Sequence, residues 1–364
     1  MINKKVLAMC LSPDRGGLEL YFLKFVDYYI QKDTEVHVAC SKKSYITNNI
    51  SKNKLECRPH GFFNNLINFL IIRRYIIKNK IDLIHVSWSK DLFLAALLKT
   101  FSPRDVKIIF YRQMKIPRSK KDLIHRIIYK KIDLFLVITK KLYQEACAFL
   151  PIDKSRVHIL PYGIKRPPKN NKITKQKFFS KYNMNTSIFS VGIFSRIEEQ
   201  KGQHLVLDAI KQSRHDIQLF IIGHCMDNNY RKSLIESTSR YNLTKFVKFI
   251  EFVDSPMSFM PFFDLIILPT YEETFGLTVA EAMLMQVPVI GSNVGGVPEI
   301  INHGHNGLLF KTKNHHDLQE KIDSIIEKKE MRQKFVDNGV KFINEKYDYN
   351  SHYIHFEKII SRYQ

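Results

Sequence analysis

Short apolar runs rich in β-branched residues alternate with amphipathic stretches along most of this chain. Apolar runs of about four to eight residues predict buried strands, and the stretches between them predict helices. This alternation is typical of parallel sheets covered by helices. The predicted strands lie at 6–11, 36–40, 83–86, 107–111, 134–138 and 157–160 in the first half, and at 189–194, 217–222, 246–250, 265–268 and 287–290 in the second. The sequence therefore predicts an α/β fold with doubly wound sheets.

The alternation stops in PYGIKRPPKNN, from Pro161 to Asn171. Two adjacent prolines, a glycine and a cluster of charges can continue neither a helix nor a strand. We interpret this segment as the linker between two domains, predicted at residues 1–165 and 166–347, with a ligand cleft between them. The tail, residues 348–364, has apolar residues near helical spacing and predicts a closing helix that packs back on the first domain.

Positive charge is concentrated in the first half. Residues up to Pro168 contain 32 Lys and Arg against 13 Asp and Glu, whereas the remainder contains 25 against 22. This asymmetry indicates an anionic partner for the first half, although a generally Lys-rich composition would also produce it. Five scattered cysteines without a Cys-x-x-Cys motif, and histidines without a His-Glu-x-x-His motif, predict neither disulfides nor a metal site.

No apolar stretch approaches the roughly 20 residues that span a bilayer. The best candidate, Leu66 to Ile77, is interrupted by Arg73 and Arg74. The first residues, MINKKVLAMC, lead straight into a predicted strand without a small-residue cleavage site. We therefore expect a cytoplasmic protein, peripheral on the cytosolic face of a membrane.

The segment from Pro269 to Glu299, PTYEETFGLTVAEAMLMQVPVIGSNVGGVPE, joins a predicted strand to a predicted helix. The loop at the carboxyl end of a strand is where an α/β sheet binds ligands. Free backbone N–H groups and the helix dipole at the start of the helix favour an anion such as a phosphate. The candidate binding residues at this helix start are Thr274, Phe275, Gly276 and Leu277.

Glu273 and Glu281 flank that helix start, eight residues apart. Eight residues of helix rise about 12 Å, which exceeds the roughly 5 to 9.5 Å between the paired carboxylates of glycosidases. The two glutamates are therefore not interpreted as the acid and base of a hydrolase. They suit separate roles as acceptors of charge-assisted hydrogen bonds, Glu273 from sugar hydroxyls and Glu281 from a ribose.

The Glu-x7-Glu spacing in EETFGLTVAE, followed by GGVPEII and NGLLF, resembles retaining GT-B glycosyltransferases of the family-four type. The resemblance runs along nearly the whole chain and includes SVGIFSRIEEQKGQHLVLDAI, LFIIGH, VHILPYGI and DRGGLE. It implies two Rossmann-like domains facing across a cleft. It also implies transfer of a sugar from a nucleotide diphosphate donor.

By this resemblance, Arg196 and Lys201 bind the donor diphosphate, Glu273 binds the transferred sugar and Glu281 binds the ribose. The implied mechanism needs no metal or cofactor, because the leaving diphosphate helps to deprotonate the acceptor. Arg196 and Lys201 would stabilise the charge that develops on it. His204, a lone histidine at a helix start, is interpreted as a surface or capping residue.

Gly16, Gly17 and Arg112 extend the predicted site into the first domain. The two glycines would let the first loop approach the donor, although such a pair alone is equally typical of a turn. Many relatives carry a histidine after the fourth N-terminal strand, where KIIFYRQMKIPRSKKD offers Arg112 and Gln113 instead. We expect Arg112 to add to the charge stabilisation or to orient the acceptor.

Two basic stretches of the first half bear on the acceptor. Residues 107–131 contain nine Lys or Arg and one acid. The stretch FFNNLINFLIIRRYIIKNK combines an apolar face with four basic residues, as expected for a helix at an anionic membrane surface or for an ordinary core-facing helix with a solvated basic side. Since the resemblance assigns the acceptor to the N-terminal domain, we expect an anionic glycolipid, such as lipopolysaccharide core, a teichoic acid or another lipid-linked glycan. Nucleic acid is disfavoured because no binding motif is present.

These inferences combine into a retaining glycosyltransferase that moves a sugar to an anionic glycolipid in cell-envelope polysaccharide biosynthesis. One alternative is a GT-B nucleotide-sugar epimerase, which would convert the donor without an acceptor. The other is a non-catalytic module that binds a sugar nucleotide or a membrane. The module is disfavoured because all four implied donor residues are present: Arg196, Lys201, Glu273 and Glu281.

Overall fold

The computed structural model describes residues 5–167, 173–251, 253 and 255–363. They belong to two compact units, Met1–Pro161 with Asn350–Gln364, and Tyr162–Tyr349. The first boundary precedes the predicted one at residue 165, because the N–H of Ile164 donates to the carbonyl of Tyr347 at 2.8 Å and ties this segment to the second unit. Residues 168–171 of the predicted linker lie outside the described residues.

The first unit contains a parallel sheet of seven strands. They are β1 (Val6–Cys10), β2 (Val36–Ser41), β3 (Lys54–Cys57), β4 (Leu83–Val86), β5 (Lys107–Arg112), β6 (Leu134–Val137) and β7 (Val157–Ile159). Their order across the sheet is β3-β2-β1-β4-β5-β6-β7. The helices are α1 (Gly17–Gln31), α2 (Tyr45–Asn49), α3 (Phe62–Asn79), α4 (Leu92–Phe101), α5 (Leu123–Lys130) and α6 (Lys140–Phe149), joined by the chain's last helix, α14 (Tyr349–Ile360).

The second unit contains a parallel sheet of six strands. They are β8 (Phe189–Phe194), β9 (Ile217–Ile222), β10 (Val247–Ile250), β11 (Leu265–Leu268), β12 (Val289–Ser292) and β13 (Leu308–Phe310), in the order β10-β9-β8-β11-β12-β13. The helices are α7 (Lys175–Lys181), α8 (Gln203–Gln212), α9 (Asn228–Arg240), α10 (Leu277–Leu284), α11 (Val297–Ile300), α12 (His315–Glu327) and α13 (Lys329–Lys346). The two sheets confirm the predicted α/β fold class.

Most strands are buried on both faces, as in β1, β4, β6, β9 and β11, which explains why they read as continuous apolar runs. The strand predicted at 287–290 starts instead at Val289, because Pro288 has no N–H to pair with a neighbour. In the first unit, α14 packs on α1: the Tyr353 ring stacks on Tyr28 at 4.0 Å, and Phe356 meets Phe25 edge-to-face at 4.9 Å.

Strand order reverses once in each sheet, between β1 and β4 in the first and between β8 and β11 in the second. At such a reversal the connections leave toward opposite faces, which opens a crevice at the carboxyl ends of the two strands. The loops after β1, β4, β8 and β11 are therefore the places where each unit is built to hold a ligand. Within the described part of the chain, no helix is long and apolar enough to cross a membrane.

Candidate functional site

Two predicted motifs meet where strand order reverses in the second sheet. Arg196 and Lys201 follow β8, and the loop from Pro269 to Gly276 follows β11, the neighbouring strand. The carboxyl ends of neighbouring parallel strands lie at the same edge of the sheet, so motifs about 70 residues apart in sequence become adjacent. The N–H of Tyr271 donates to the carbonyl of Gln200 at 2.9 Å and joins the two loops directly.

Lys201 and Glu273 form an ion pair at this edge. Nζ of Lys201 lies 3.3 Å from Oε2 of Glu273, with side chains only 17% and 22% exposed. The other oxygen, Oε1, accepts a hydrogen bond from the N–H of Thr274 at 3.1 Å. Because both carboxylate oxygens are held by groups of the protein itself, Glu273 has a fixed direction.

Glycine backbones hold the Glu273 loop from two sides. Gly202 has φ of +66°, and a Cβ at this position would lie 2.2 Å from the carbonyl oxygen of Pro269. Gly295 has φ of +59°, and its Cβ would lie 1.5 Å from the carbonyl oxygen of Glu273. The N–H of Gly296 donates to that same carbonyl at 3.2 Å. Both glycines are needed because any side chain would displace the loop.

Helix α10 begins directly after this loop. Its first flanking residue, Gly276, has φ of +99° and no side chain to cap the helix, so the start of α10 presents backbone N–H groups and the positive end of the helix dipole. Thr278 Oγ1 donates to the carbonyl of Phe194 at 3.2 Å and fixes α10 against β8. Leu277 opens the helix, and Glu281 lies one turn further along, partly buried.

Phe275 has a structural role that the sequence did not reveal. Its ring is buried and packs edge-to-face against Tyr162 at 4.9 Å and Tyr347 at 5.4 Å. Burial raises the pKa of Tyr347 to about 12. A contribution of Phe275 to a ligand is therefore confined to its backbone.

Of the two predicted cations, Arg196 is the exposed one. Its side chain is 55% exposed and pairs with Glu198, with 2.9 Å between the guanidinium and the carboxylate. Exposed pairs of this kind contribute little to stability. The guanidinium can therefore turn toward an incoming anion at small cost.

His204 connects the two loops, although the sequence suggested only a surface or capping role. Its Nε2 lies 2.5 Å from the hydroxyl of Tyr271, and its Nδ1 lies 2.8 Å from the hydroxyl of Tyr230. Burial lowers the pKa of His204 and raises the pKa of both tyrosines. A single histidine carries no sequence signal for such a chain of hydrogen bonds, because its partners come from distant segments.

The first unit holds the remaining predicted residues. Gly16 precedes α1, and Gly17 opens it; a Cβ on Gly17 would have no described atom within 4 Å. Arg112, at the end of β5, is almost fully buried, and its guanidinium donates to the carbonyls of Met114 and Lys115. Burial lowers the pKa of Arg112. These bonds organise the loop after β5, and a role for Arg112 toward the acceptor stays a prediction.

The five cysteines are free thiols. Among the described residues, no group of three or more His, Cys, Asp or Glu is arranged to hold a metal ion.

Comparison with known proteins identifies the family. Residues 174–342 match the family described as Glycosyl transferases group 1, and residues 15–166 match Glycosyltransferase Family 4. An uncharacterized glycosyltransferase of Methanocaldococcus jannaschii is 31% identical over an alignment that covers 94% of this chain and 93% of that relative. The chain is a group 1 glycosyltransferase.

Two further comparisons give a relative of this group 1 glycosyltransferase and a solved structure of similar fold. The capsular polysaccharide biosynthesis glycosyltransferase CapM of Staphylococcus aureus is 24% identical over 93% of this chain and 92% of CapM. Among solved structures, HepE of Anabaena in complex with UDP has a TM-score of 0.86 at 19% identity, covering 98% of this chain and 100% of HepE. The two Rossmann-like units are therefore those of the GT-B fold.

Proposed function

We propose that this group 1 glycosyltransferase transfers a sugar from a nucleotide diphosphate donor, with retention of configuration, to an anionic glycolipid of the cell envelope. The Lys201–Glu273 pair carries the proposal. It is fixed before any ligand arrives, and it lies beside the uncapped start of α10 and the exposed Arg196. Cations and helix N–H groups suit a diphosphate, and a rigid carboxylate suits sugar hydroxyls. HepE, which shares the fold, was solved with UDP.

The proposed transfer breaks one bond to the sugar, forms another and moves one proton. The bond from sugar C1 to the diphosphate oxygen breaks, a bond from C1 to the acceptor oxygen forms on the same face, and the acceptor's proton passes to the departing diphosphate. Arg196 and Lys201 stabilise the charge on that diphosphate. Glu273 accepts hydrogen bonds from the sugar, and Glu281 from the ribose. Gly16 and Gly17, at the start of α1, would let the backbone of the first loop approach the donor.

Thermal unfolding with UDP, GDP and ADP tests the donor. A nucleotide at 100 times its Kd stabilises the folded state by about 2.7 kcal/mol, and we expect one of the three to do so. Lys201→Ala should weaken this effect, whereas Lys321→Ala should not. Lys321 is a matched control because it forms a comparable ion pair, with Asp317 at 3.2 Å, on α12. Stabilisation by none of the nucleotides would refute the proposed donor.

Product analysis tests the reaction itself. NMR of the product should show the anomeric configuration of the donor sugar. Incubation of the donor without an acceptor should leave it unchanged apart from slow hydrolysis. An inverted product would refute retention, and a new sugar nucleotide formed from the donor alone would establish the epimerase instead.

The proposed acceptor and membrane location rest on one face of the first unit. Helix α4 lies between α3 and α5, and Arg73 of α3 donates to the carbonyl of Phe101 of α4 at 2.9 Å. The three helices contain no Asp or Glu. Large apolar side chains are nevertheless exposed on them: Phe63, Leu66, Leu70, Ile71, Ile77, Phe93, Phe101, Leu123, Ile124 and Ile127. Exposed apolar groups among cations match an anionic lipid surface, and CapM acts in capsular polysaccharide biosynthesis.

Vesicle binding tests this face. The protein should co-sediment with phosphatidylglycerol vesicles, less with phosphatidylcholine vesicles, and less at high salt. Ile124→Glu and Ile127→Glu should each weaken binding about tenfold or more, because full burial of an isoleucine contributes about 1.5–3 kcal/mol. Ile235→Glu is the matched control, since Ile235 is exposed on α9 of the second unit. Equal effects of all three substitutions would refute the assignment of the face.

A further inference from the structure

The crevice between β1 and β4 in the first sheet contains a buried carboxylate that the proposed donor site does not use. Asp91 ends a short 3-10 turn after β4 and is fully buried. Its Oδ2 accepts a hydrogen bond from the N–H of Leu11, just after β1, at 2.9 Å. Its Oδ1 lies 2.9 Å from Nε2 of His60, in the segment that follows β3. Three chain segments thus converge on one carboxylate at the edge of the sheet where ligands bind.

His60 joins this buried group to the surface. Its side chain is 21% exposed, while Nε2 faces Asp91. Oδ1 of Asp91 accepts a hydrogen bond from Nε2–H of His60 and fixes the orientation of the ring, which leaves Nδ1 as its second hydrogen-bonding atom. None of the described residues bonds to Nδ1. The pair therefore leaves one oriented ring nitrogen, Nδ1 of the partly exposed His60, available to a ligand.

Trp88 provides an aromatic wall beside His60. The two rings meet edge-to-face at 5.0 Å, and Nζ of Lys90 lies 5.0 Å from the Trp88 ring centre. Trp88 is partly exposed, and its indole N–H has no partner in the described part of the chain. Next to it, Oγ of Ser87 is buried and lacks a hydrogen bond to any described residue. Buried polar atoms are rarely left unpaired unless a water or a ligand satisfies them.

These groups suit a neutral ring with hydroxyl groups. A sugar hydroxyl can form a hydrogen bond with Nδ1 of His60 and another can accept from the indole of Trp88, while the C–H face of the sugar packs on the aromatic wall. We propose that His60, Trp88 and Asp91 form the subsite for a sugar ring of the acceptor, in which Asp91 positions His60. The inference rests on the proposed function, because only a transfer reaction requires an acceptor.

Tryptophan fluorescence tests the subsite directly, because Trp88 is the chain's single tryptophan. The probes are the methyl α-glycosides of glucose, galactose and mannose, and lipid-free core oligosaccharide released from lipopolysaccharide. At least one should change the emission saturably and protect Trp88 from iodide quenching. His60→Ala and Asp91→Asn should weaken that binding about tenfold, the value of roughly one charge-assisted hydrogen bond. His215→Ala is the matched control, since His215 forms a separate pair with Glu327 at 3.1 Å in the second unit.

Two results would overturn the subsite: no response of Trp88 to any probe, or a response that survives in both His60→Ala and Asp91→Asn. Circular dichroism verifies that each variant is folded, and the partly exposed His60 provides the test if Asp91→Asn does not fold. UDP, GDP and ADP stabilisation is measured in parallel. If a nucleotide stabilises the protein while no sugar probe changes the Trp88 fluorescence, the subsite alone is refuted. If no nucleotide stabilises it, the proposed function fails.

Discussion

Gly295→Ala tests whether the Glu273 loop must keep its position. Gly295 has φ of +59°, and a Cβ built on it lies 1.5 Å from the carbonyl oxygen of Glu273. Real Cβ atoms essentially never come closer than 3.0 Å to such an atom. The obstacle is a backbone carbonyl, so no side-chain rotation relieves the overlap. The Glu273 backbone must therefore retreat by roughly 1.5 Å.

The expected losses follow from that displacement. A left-handed backbone costs about 1–2 kcal/mol for a residue with a Cβ, and overpacking costs about 1–3 kcal/mol. Gly295→Ala should therefore lower the free energy of unfolding by about 2–5 kcal/mol. A shift of about 1 Å in a positioning group can reduce the rate about 100-fold. We expect sugar transfer to fall at least that far, because Glu273 moves away from Lys201.

Gly304→Ala separates the cost of a strained backbone from the effect of displacing Glu273. Gly304 also has a positive φ, +75°, but no described atom lies within 4 Å of its Cβ position. Only the backbone cost of about 1–2 kcal/mol should remain, with full activity. Urea unfolding followed by circular dichroism gives the stabilities, and release of the nucleoside diphosphate in the presence of an acceptor gives the rates. Equal losses of stability in the two variants, or full activity of Gly295→Ala, would falsify the idea that this glycine positions Glu273.

Three further predictions concern other contacts. Lys201→Ala should lower kcat about 100- to 1000-fold, the usual effect of removing one preorganised donor, whereas a loss no larger than that of Lys321→Ala would exclude Lys201 from the chemistry. Tyr271→Phe removes the hydrogen bond to His204 and should lower the unfolding free energy by about 0.5–1.5 kcal/mol, measured in urea; no change would mean that water replaces the hydroxyl. Burial lowers the pKa of His85 and of His352 to about 3 from an ordinary 6.5, so the unfolded chain binds more protons between these values. The contribution of these histidines to stability should be complete above about pH 6.5 and fall as the pH decreases, by up to about 1.4 kcal/mol per pH unit for each histidine; urea titrations should show a shallower slope for His352→Asn, and an unchanged slope would contradict the burial argument.

The sequence predicted the central strands and the edge strands β7 and β10, but it missed the edge strands β3 and β13. Strands such as β9 are buried along their whole length, so their apolar runs are unbroken. Strand β3, KLEC, lies at the edge of its sheet and contains two charged residues, and β13 has only three residues at the other sheet's edge. Neither has the periodicity that predicts a strand. An edge strand tolerates charged residues and a short length, and where it has either, as in β3 and β13, its composition carries little signal.

Individual site residues were easier to predict than the contacts between them. Lys201 and Glu273 each lie in a recognisable motif. Their ion pair, however, depends on β8 and β11 being neighbours, and neither motif predicts the strand order. His60 and Asp91 had no motif, since each is a single polar residue in its own loop. Sheet topology brings such residues together. The place where strand order reverses is therefore the feature from which their proximity could have been predicted.

The Lys201–Glu273 pair does not have to break when the proposed donor binds. An ammonium group has three N–H donors, and Glu273 is the acceptor that Lys201 uses among the described residues. The carboxylate has about four acceptor positions, of which Thr274 and Lys201 occupy two. Lys201 can thus bind a phosphate oxygen, and Glu273 a sugar hydroxyl, while their mutual bond stays in place. The pair would then link the leaving group to the transferred sugar without rearrangement, which is the preorganisation that electrostatic catalysis requires.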